Sequence, residues 1–274
     1  MNLLNQTPNI DVMTTTINYL EKPKLNNPVL IEGLPGVGNI GRVAVGYLVE
    51  ELKAKKFATM SSQWFFPFVM LHDNYLIHLP NNEFFYYKAK SKGERDLIFL
   101  VGDCQSLTPQ GHYDVSNKIL EVVDELGCKE IITVGGLATG EIEERPRVVG
   151  AVSHKELLEK YKTLQVDFNA GEKVGYIVGA AGLLLGLGKE RGMKGICLLG
   201  ETSGFPIVTD PKSAEAVLST LIKIVGLKID MGKLEQRVKE MENFIKKVES
   251  LQKRALMQIS KEGKPQKDET RYIG

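Results

Sequence analysis

Five charged residues that follow apolar runs are the first candidates for chemistry: Asp103, Glu141, Arg145, Arg147 and Glu201. Each comes after a stretch that reads as a strand, and in a parallel α/β sheet ligands bind outside the strand carboxyl ends. Acids set beside arginines can hold a polar substrate and exchange protons with it. The same residues, three of them in the loop Glu141-Ile142-Glu143-Glu144-Arg145-Pro146-Arg147, equally suit a solvated loop or a subunit contact.

Gly36-Val37-Gly38-Asn39-Ile40-Gly41 matches GxGxxG between an apolar run and a helical pattern, the spacing of a dinucleotide-binding turn. That chemistry also wants an acid at the end of the second strand to hold a ribose. Here Lys56-Phe57-Ala58-Thr59-Met60 runs into Ser61-Ser62-Gln63, and no Lys-Ser/Thr pair follows the glycines as it would in a P-loop. The glycines therefore read as a tight strand-to-helix turn, permitting positive φ and close packing, and no cofactor is expected. Metal binding has little to stand on. His72 and His78 lie on two arms of one hairpin, His112 and His154 stand alone, and there is no HExxH. GxSxG is absent too, and Ser203 in Glu201-Thr202-Ser203-Gly204 lacks the nucleophile-elbow pattern.

The elements that must position these residues alternate along most of the chain. Apolar strands are expected at 28–32, 56–60, 96–103, 130–134, 163–168 and 195–200, and helices over 37–55, 113–126, from Ser153, over 174–191 and over 211–225. Gly127 reads as a helix C-cap, Ser153 with Glu156 as a capping box, and Asp210-Pro211 as an N-cap with proline at the first helical position. Strand–helix alternation implies a mainly parallel sheet. Residues 65–90 interrupt it with most of the aromatics and no helical period. Asp73-Asn74 there separates two apolar arms, an inserted antiparallel hairpin. From Met231 the pattern becomes helical and charged, with Leu234, Val238, Met241, Ile245 and Val248 at 4-3-4-3 spacing, the seam of a coiled coil. A helix this short needs a partner: either its own domain or another subunit. The division expected is thus an α/β domain over 1–228, a helix over 229–260 and a polar, flexible tail over 261–274.

Composition narrows the function class. Of 274 residues, 43% are hydrophobic and 25% charged, and 35 Lys and Arg stand against 34 Asp and Glu for a net charge of +1. Neither a strongly basic nucleic-acid binder nor an acidic solvating protein fits. The most apolar run, Val174 to Gly188, is 15 residues, short of the roughly 18–20 that span a membrane. The first residues carry no basic segment followed by an apolar one, so no signal peptide is expected. Cys104, Cys128 and Cys197 form no CxxC pair, which suits a reducing cytoplasm.

Several stretches taken together resemble the PAC2 family, the proteasome assembly chaperones and their archaeal homologues. They are Gly33-Leu34-Pro35-Gly36-Val37-Gly38-Asn39-Ile40-Gly41, Gly135-Gly136, Leu199-Gly200-Glu201-Thr202-Ser203-Gly204 and Asp210-Pro211-Lys212-Ser213-Ala214. The resemblance covers about 28–228. It implies a nucleoside-phosphorylase-like α/β fold, no known catalytic activity, self-assembly into oligomers of more than two subunits, and a part in assembling proteasomes or other complexes. Family members that dock on the proteasome resemble its activators, ending in hydrophobic–Tyr–any residue. This sequence ends Arg271-Tyr272-Ile273-Gly274, one residue out of that register, which leaves an aromatic tail as the expected partner-binding element. The reading is a non-enzymatic, homo-oligomeric assembly chaperone or scaffold in the cytoplasm, with protein clients and neither nucleic acid nor membrane as partner. The alternative is a small-molecule enzyme using the strand-end cleft.

Overall fold

A computed structural model describes residues 15–71, 75–91, 94–141, 144–169, 175–204 and 209–229, together with Gly232 and Gln236. The chain divides into two units, Met1–Asp230 and Met231–Gly274. In the second, Gly232 and Gln236 are helical and exposed. The seam Leu234, Val238, Met241, Ile245 and Val248 and the tail Arg271, Tyr272, Ile273 and Gly274 lie outside the described residues.

The first unit is built on strands β1 (Thr15–Tyr19), β2 (Val29–Gly33), β3 (Lys55–Ser62), β4 (Met70–Leu71), β5 (Ile77–His78), β6 (Asn82–Tyr87), β7 (Leu97–Gly102), β8 (Glu130–Ala138), β9 (Val148–Val152), β10 (Val166–Asp167) and β11 (Lys194–Thr202). Its helices are α1 (Ile40–Glu51), α2 (Pro109–Glu125), α3 (Glu156–Tyr161), α4 (Ala180–Glu190) and α5 (Pro211–Val225). Nine strands form one sheet in the order β1-β3-β6-β7-β2-β8-β11-β9-β10, and β4 and β5 pair separately as an antiparallel hairpin. The centre, β7-β2-β8-β11, is parallel. On one side β6, β3 and β1 add antiparallel strands; on the other β9 runs antiparallel to β11.

The sheet is thus mixed: its centre is parallel as expected, with antiparallel strands added on both sides. Residues 15–19 and 148–152 supply strands that sequence periodicity had not marked, because short half-buried strands carry few alternations. β2 is buried at all five positions, as a strand flanked by parallel neighbours and covered on both faces must be. Helices α1 and α5 pack together against one face, and α2 with α4 against the other. The second of these interfaces holds Leu30, Ile98, Leu120, Leu184 and Cys197 in its core.

Local signals explain most helix ends. The Asp210 side chain accepts from the Ser213 N–H at 3.0 Å and Gly226 closes α5 at φ 71°. Helix α2 begins before the expected residue 113, because Thr108 caps it and Pro109 takes its first position. Helix α1 begins later than residue 37: a single 3-10 turn, with Gly38 at φ 63° and Asn39 at φ 52°, comes first. It also stops at Glu51, ahead of Lys53 at φ 51°. The glycine-rich run becomes helical only at Ala180, with Tyr176 and Val178 exposed before it. The capping box at Ser153 does not form. Its hydroxyl accepts from the Gly195 N–H at 2.8 Å, tying the end of β9 to β11.

Candidate functional site

The five cleft residues do not converge. Arg147 grips Glu201 with two parallel bonds, Nε to Oε2 at 2.9 Å and Nη2 to Oε1 at 2.5 Å, and its Nη1 reaches Asp167 at 3.2 Å. Glu201 is buried, and its backbone N–H donates to the Arg147 carbonyl at 3.1 Å. This fork-to-fork pairing joins the ends of β9, β10 and β11, and it commits both charges to holding the sheet together. Asp103, at the end of β7, belongs to another group: it meets His78 Nε2 at 3.0 Å, accepts from the Asn81 N–H at 3.2 Å and lies 3.7 Å from Arg42. Three strand spacings, roughly 14 Å, separate β7 from β11. Glu141 and Arg145 are exposed on the loop between β8 and β9.

A cavity lies at the carboxyl ends of β2 and β8, apart from a smaller one beside Arg147 and Asp167. The chain leaves β2 through α1 toward β3 on one side, and leaves β8 toward β9 on the other. Adjacent parallel strands whose onward connections diverge leave a crevice between them. β2 pairs with β8 only as far as Glu32 opposite Thr133, whereas β8 continues beside β11 to Ala138. A cavity of about 600 Å³ opens there, lined by Glu32, Gly36, Val37, Gln105, His112, Gly135, Gly136, Leu199 and the residues leading into α4.

Glu32 is the residue that sequence reasoning passed over. It is 1% exposed, its Oε1 accepts from the Leu34 N–H at 2.9 Å, and its Oε2 has no hydrogen-bond partner. Burial pushes its pKa up to about 8, against the opposing pull of the Leu34 and Val134 N–H groups. The signal was present as the one acid inside an otherwise apolar strand. Gln105 braces the cavity: its Nε2 donates to the Pro35 carbonyl at 2.7 Å and its Oε1 accepts from the Ala180 N–H at 2.8 Å. Burial lowers the pKa of His112.

The surface has a second feature. Around the β4–β5 hairpin, Leu71, Tyr75, Leu76, Ile77 and Leu79 are each 63% exposed or more, and Phe66, Phe68 and Val69 beside them are also exposed. Scattered exposed apolar residues are ordinary; a run of this density is not. Among the described residues no group of three His, Cys, Asp or Glu is placed to hold a metal, and no helix is long and apolar enough to cross a membrane.

A family model described as the PAC2 family matches residues 30–249. A Methanocaldococcus jannaschii protein of uncharacterized role is 36% identical over 265 residues, 97% of this chain and 98% of that protein. The crystal structure of Pyrococcus furiosus PbaB, described as an archaeal proteasome activator, matches at 46% identity and TM-score 0.80, over 86% of this chain and 99% of that one. Pyrococcus furiosus PbaA, described as an archaeal homolog of proteasome-assembly chaperone, shares the fold at TM-score 0.68 and 24% identity, over 88% and 99% of the two chains.

Proposed function

The chain belongs to the PAC2 family, and on that premise we propose that it acts without catalysis, as a homo-oligomer of more than two subunits that binds protein partners. The observation that carries this reading is the exposed apolar hairpin: Leu71, Tyr75 and Ile77 gain nothing from water and stabilise a contact when covered. A second copy of this chain covers them, and the 4-3 seam from Leu234 to Val248 on a helix over 229–260 adds to the same association. A nucleoside-phosphorylase-like arrangement of the α/β domain and a cytoplasmic location belong to the same reading.

The partner is the proteasome or a complex built like it. Support comes from the 46% identity to PbaB, described as an archaeal proteasome activator. The tail residues Arg271, Tyr272, Ile273 and Gly274 serve as the binding element, repeated once per subunit, so that weak single contacts add up by effective concentration. Light scattering tests the assembly. The expected mass is a multiple above two of the 30.4 kDa chain, falling when Leu71→Asp and Ile77→Asp are combined. A 30.4 kDa species at micromolar concentration overturns the proposal.

A further inference from the structure

We infer that the cavity at the carboxyl ends of β2 and β8 is a binding site for a small neutral molecule that offers a hydrogen-bond donor beside an acceptor, the edge of an amide, lactam or imide, to the Glu32 carboxyl. Nothing in the protein-binding role uses this cavity.

Its position and build both favour a ligand. It occupies the divergence point of the parallel strands, and its volume of about 600 Å³ falls in the range of small-molecule sites. Val134, Leu137, Ile177, Ala181 and Leu199 supply an apolar wall. Glu32, Thr133, Gly135 and Leu199 occupy positions on the α2/α4 face of the sheet, as their register with Leu30, Ile131 and Cys197 requires. The glycine keeps that face open beside the carboxyl. Gln105, bonded at both ends to backbone, fixes the turn after β2 relative to the start of α4. The cavity is thus formed before anything enters it, which lowers the ordering cost of binding.

The ligand chemistry follows from the lining. Among the described residues the lining includes no lysine or arginine, so a phosphate or carboxylate would meet the Glu32 acid with no described cation beside it. That disfavours an anion, and with it the pyrophosphate that the adjacent GxGxxG spacing would suggest. Glu32 offers two different atoms. Oε1 already accepts from the Leu34 N–H and has a second lone pair, whereas Oε2 has no partner. With the carboxyl protonated, Oε2–H donates and Oε1 accepts. A group carrying C=O next to N–H answers both and closes a two-bond ring. A buried polar atom left unsatisfied is costly, and such a ligand removes that cost.

The test uses the full-length protein, titrated with 2-pyrrolidone, succinimide and nicotinamide as neutral probes, and with inorganic phosphate and n-butylamine as charged comparators, by calorimetry and ligand-observed NMR. At least one neutral probe should saturate below pH 7. Above about 8, where Glu32 ionises, its affinity should fall by up to tenfold per pH unit. Glu32→Gln, which keeps a donor and an acceptor but cannot ionise, should bind within a few-fold of wild type with the pH dependence gone. His112, Tyr176 and the Cys197 thiol, the other titratable groups at the site among the described residues, remain in that variant, so a surviving pH dependence would belong to a group other than Glu32 and overturn the role given to it. Glu32→Leu should lose at least tenfold. Gly36→Leu is a second block. Its backbone is extended at φ −161° and an added Cβ would come no nearer than 3.8 Å to Gln105, so it should fold and exclude the probe. Saturation by phosphate or butylamine in place of the neutral probes, the absence of saturation at millimolar concentrations, or unchanged binding in Gly36→Leu would each overturn the inference.

Discussion

At the scale of the residue, Glu32 and Glu201 show how burial and pairing give two acids opposite tasks. Glu201 is buried against a guanidinium and works as a clasp. Removing Arg147 leaves a carboxylate that is only 6% exposed without its main counter-charge. Arg147 is itself 55% exposed, so water softens the loss, and Arg147→Ala should cost about 1–3 kcal/mol, read by chemical denaturation. Glu32 has two peptide N–H groups to favour its charge and, among the described residues, no cation beside it. Its pKa is raised to about 8 from 4.5, so the folded state holds the proton more tightly than the unfolded chain. The resulting stabilisation is fully present below about pH 4.5 and is lost as pH rises toward 8. At pH 7 the loss amounts to about 3 kcal/mol. Glu32→Gln escapes it and should be more stable than wild type by a margin that widens from pH 5 to pH 8. A margin that does not change with pH would mean that Glu32 is already ionised in the folded state.

At the scale of the element, the turn from β2 into α1 meets the requirements of close packing. Gly38 sits at φ 63°, and a Cβ at Gly41 would lie 2.5 Å from the Val134 carbonyl oxygen of β8. Gly38→Ala should therefore cost about 1 kcal/mol or more. Gly41→Ala should cost clearly more, because the atom in its way is sheet backbone that cannot turn aside. Thermal unfolding of the two variants gives the order, and a Gly41→Ala variant as stable as wild type would contradict the packing. The hairpin of β4 and β5 is the reverse case. Leu71 and Ile77 are largely exposed, so Leu71→Asp with Ile77→Asp should leave the melting of the domain unchanged while changing its association.

At the scale of the whole molecule, the proposed reading makes assembly and partner capture separable. The segment KEGKPQKDETRYIG over 261–274 has too little apolar content to join a core. Its deletion should leave the oligomeric mass intact and weaken capture by proteasome α-rings on a sensor surface by tenfold or more, since each lost contact is multiplied over the subunits. Equal capture with and without the segment would move the partner-binding element elsewhere, with the hairpin the next surface to vary.

Much of this protein follows from local sequence. The apolar runs at 28–32, 96–103 and 195–200 became strands, Asp210-Pro211 and Gly226 bound α5, and Met70–Leu71 pairs with Ile77–His78 as the expected hairpin arms, because a cap or an apolar run needs only neighbours along the chain. The motifs from Gly33 to Ala214 also pointed to the family that the comparisons then showed. Strand adjacency was decided by tertiary structure alone. Buried parallel strands look alike in sequence, so nothing local says that β7 is three places from β11, or that Arg147 meets an acid 54 residues away. For that reason the charges expected in one cleft are divided between two strand-end groups and an exposed loop, while Glu32, hidden in an apolar strand, came to line the cavity. Which atoms share a site depends on the order in which the strands pair, and that order is set by the packing of helices on both faces of the sheet.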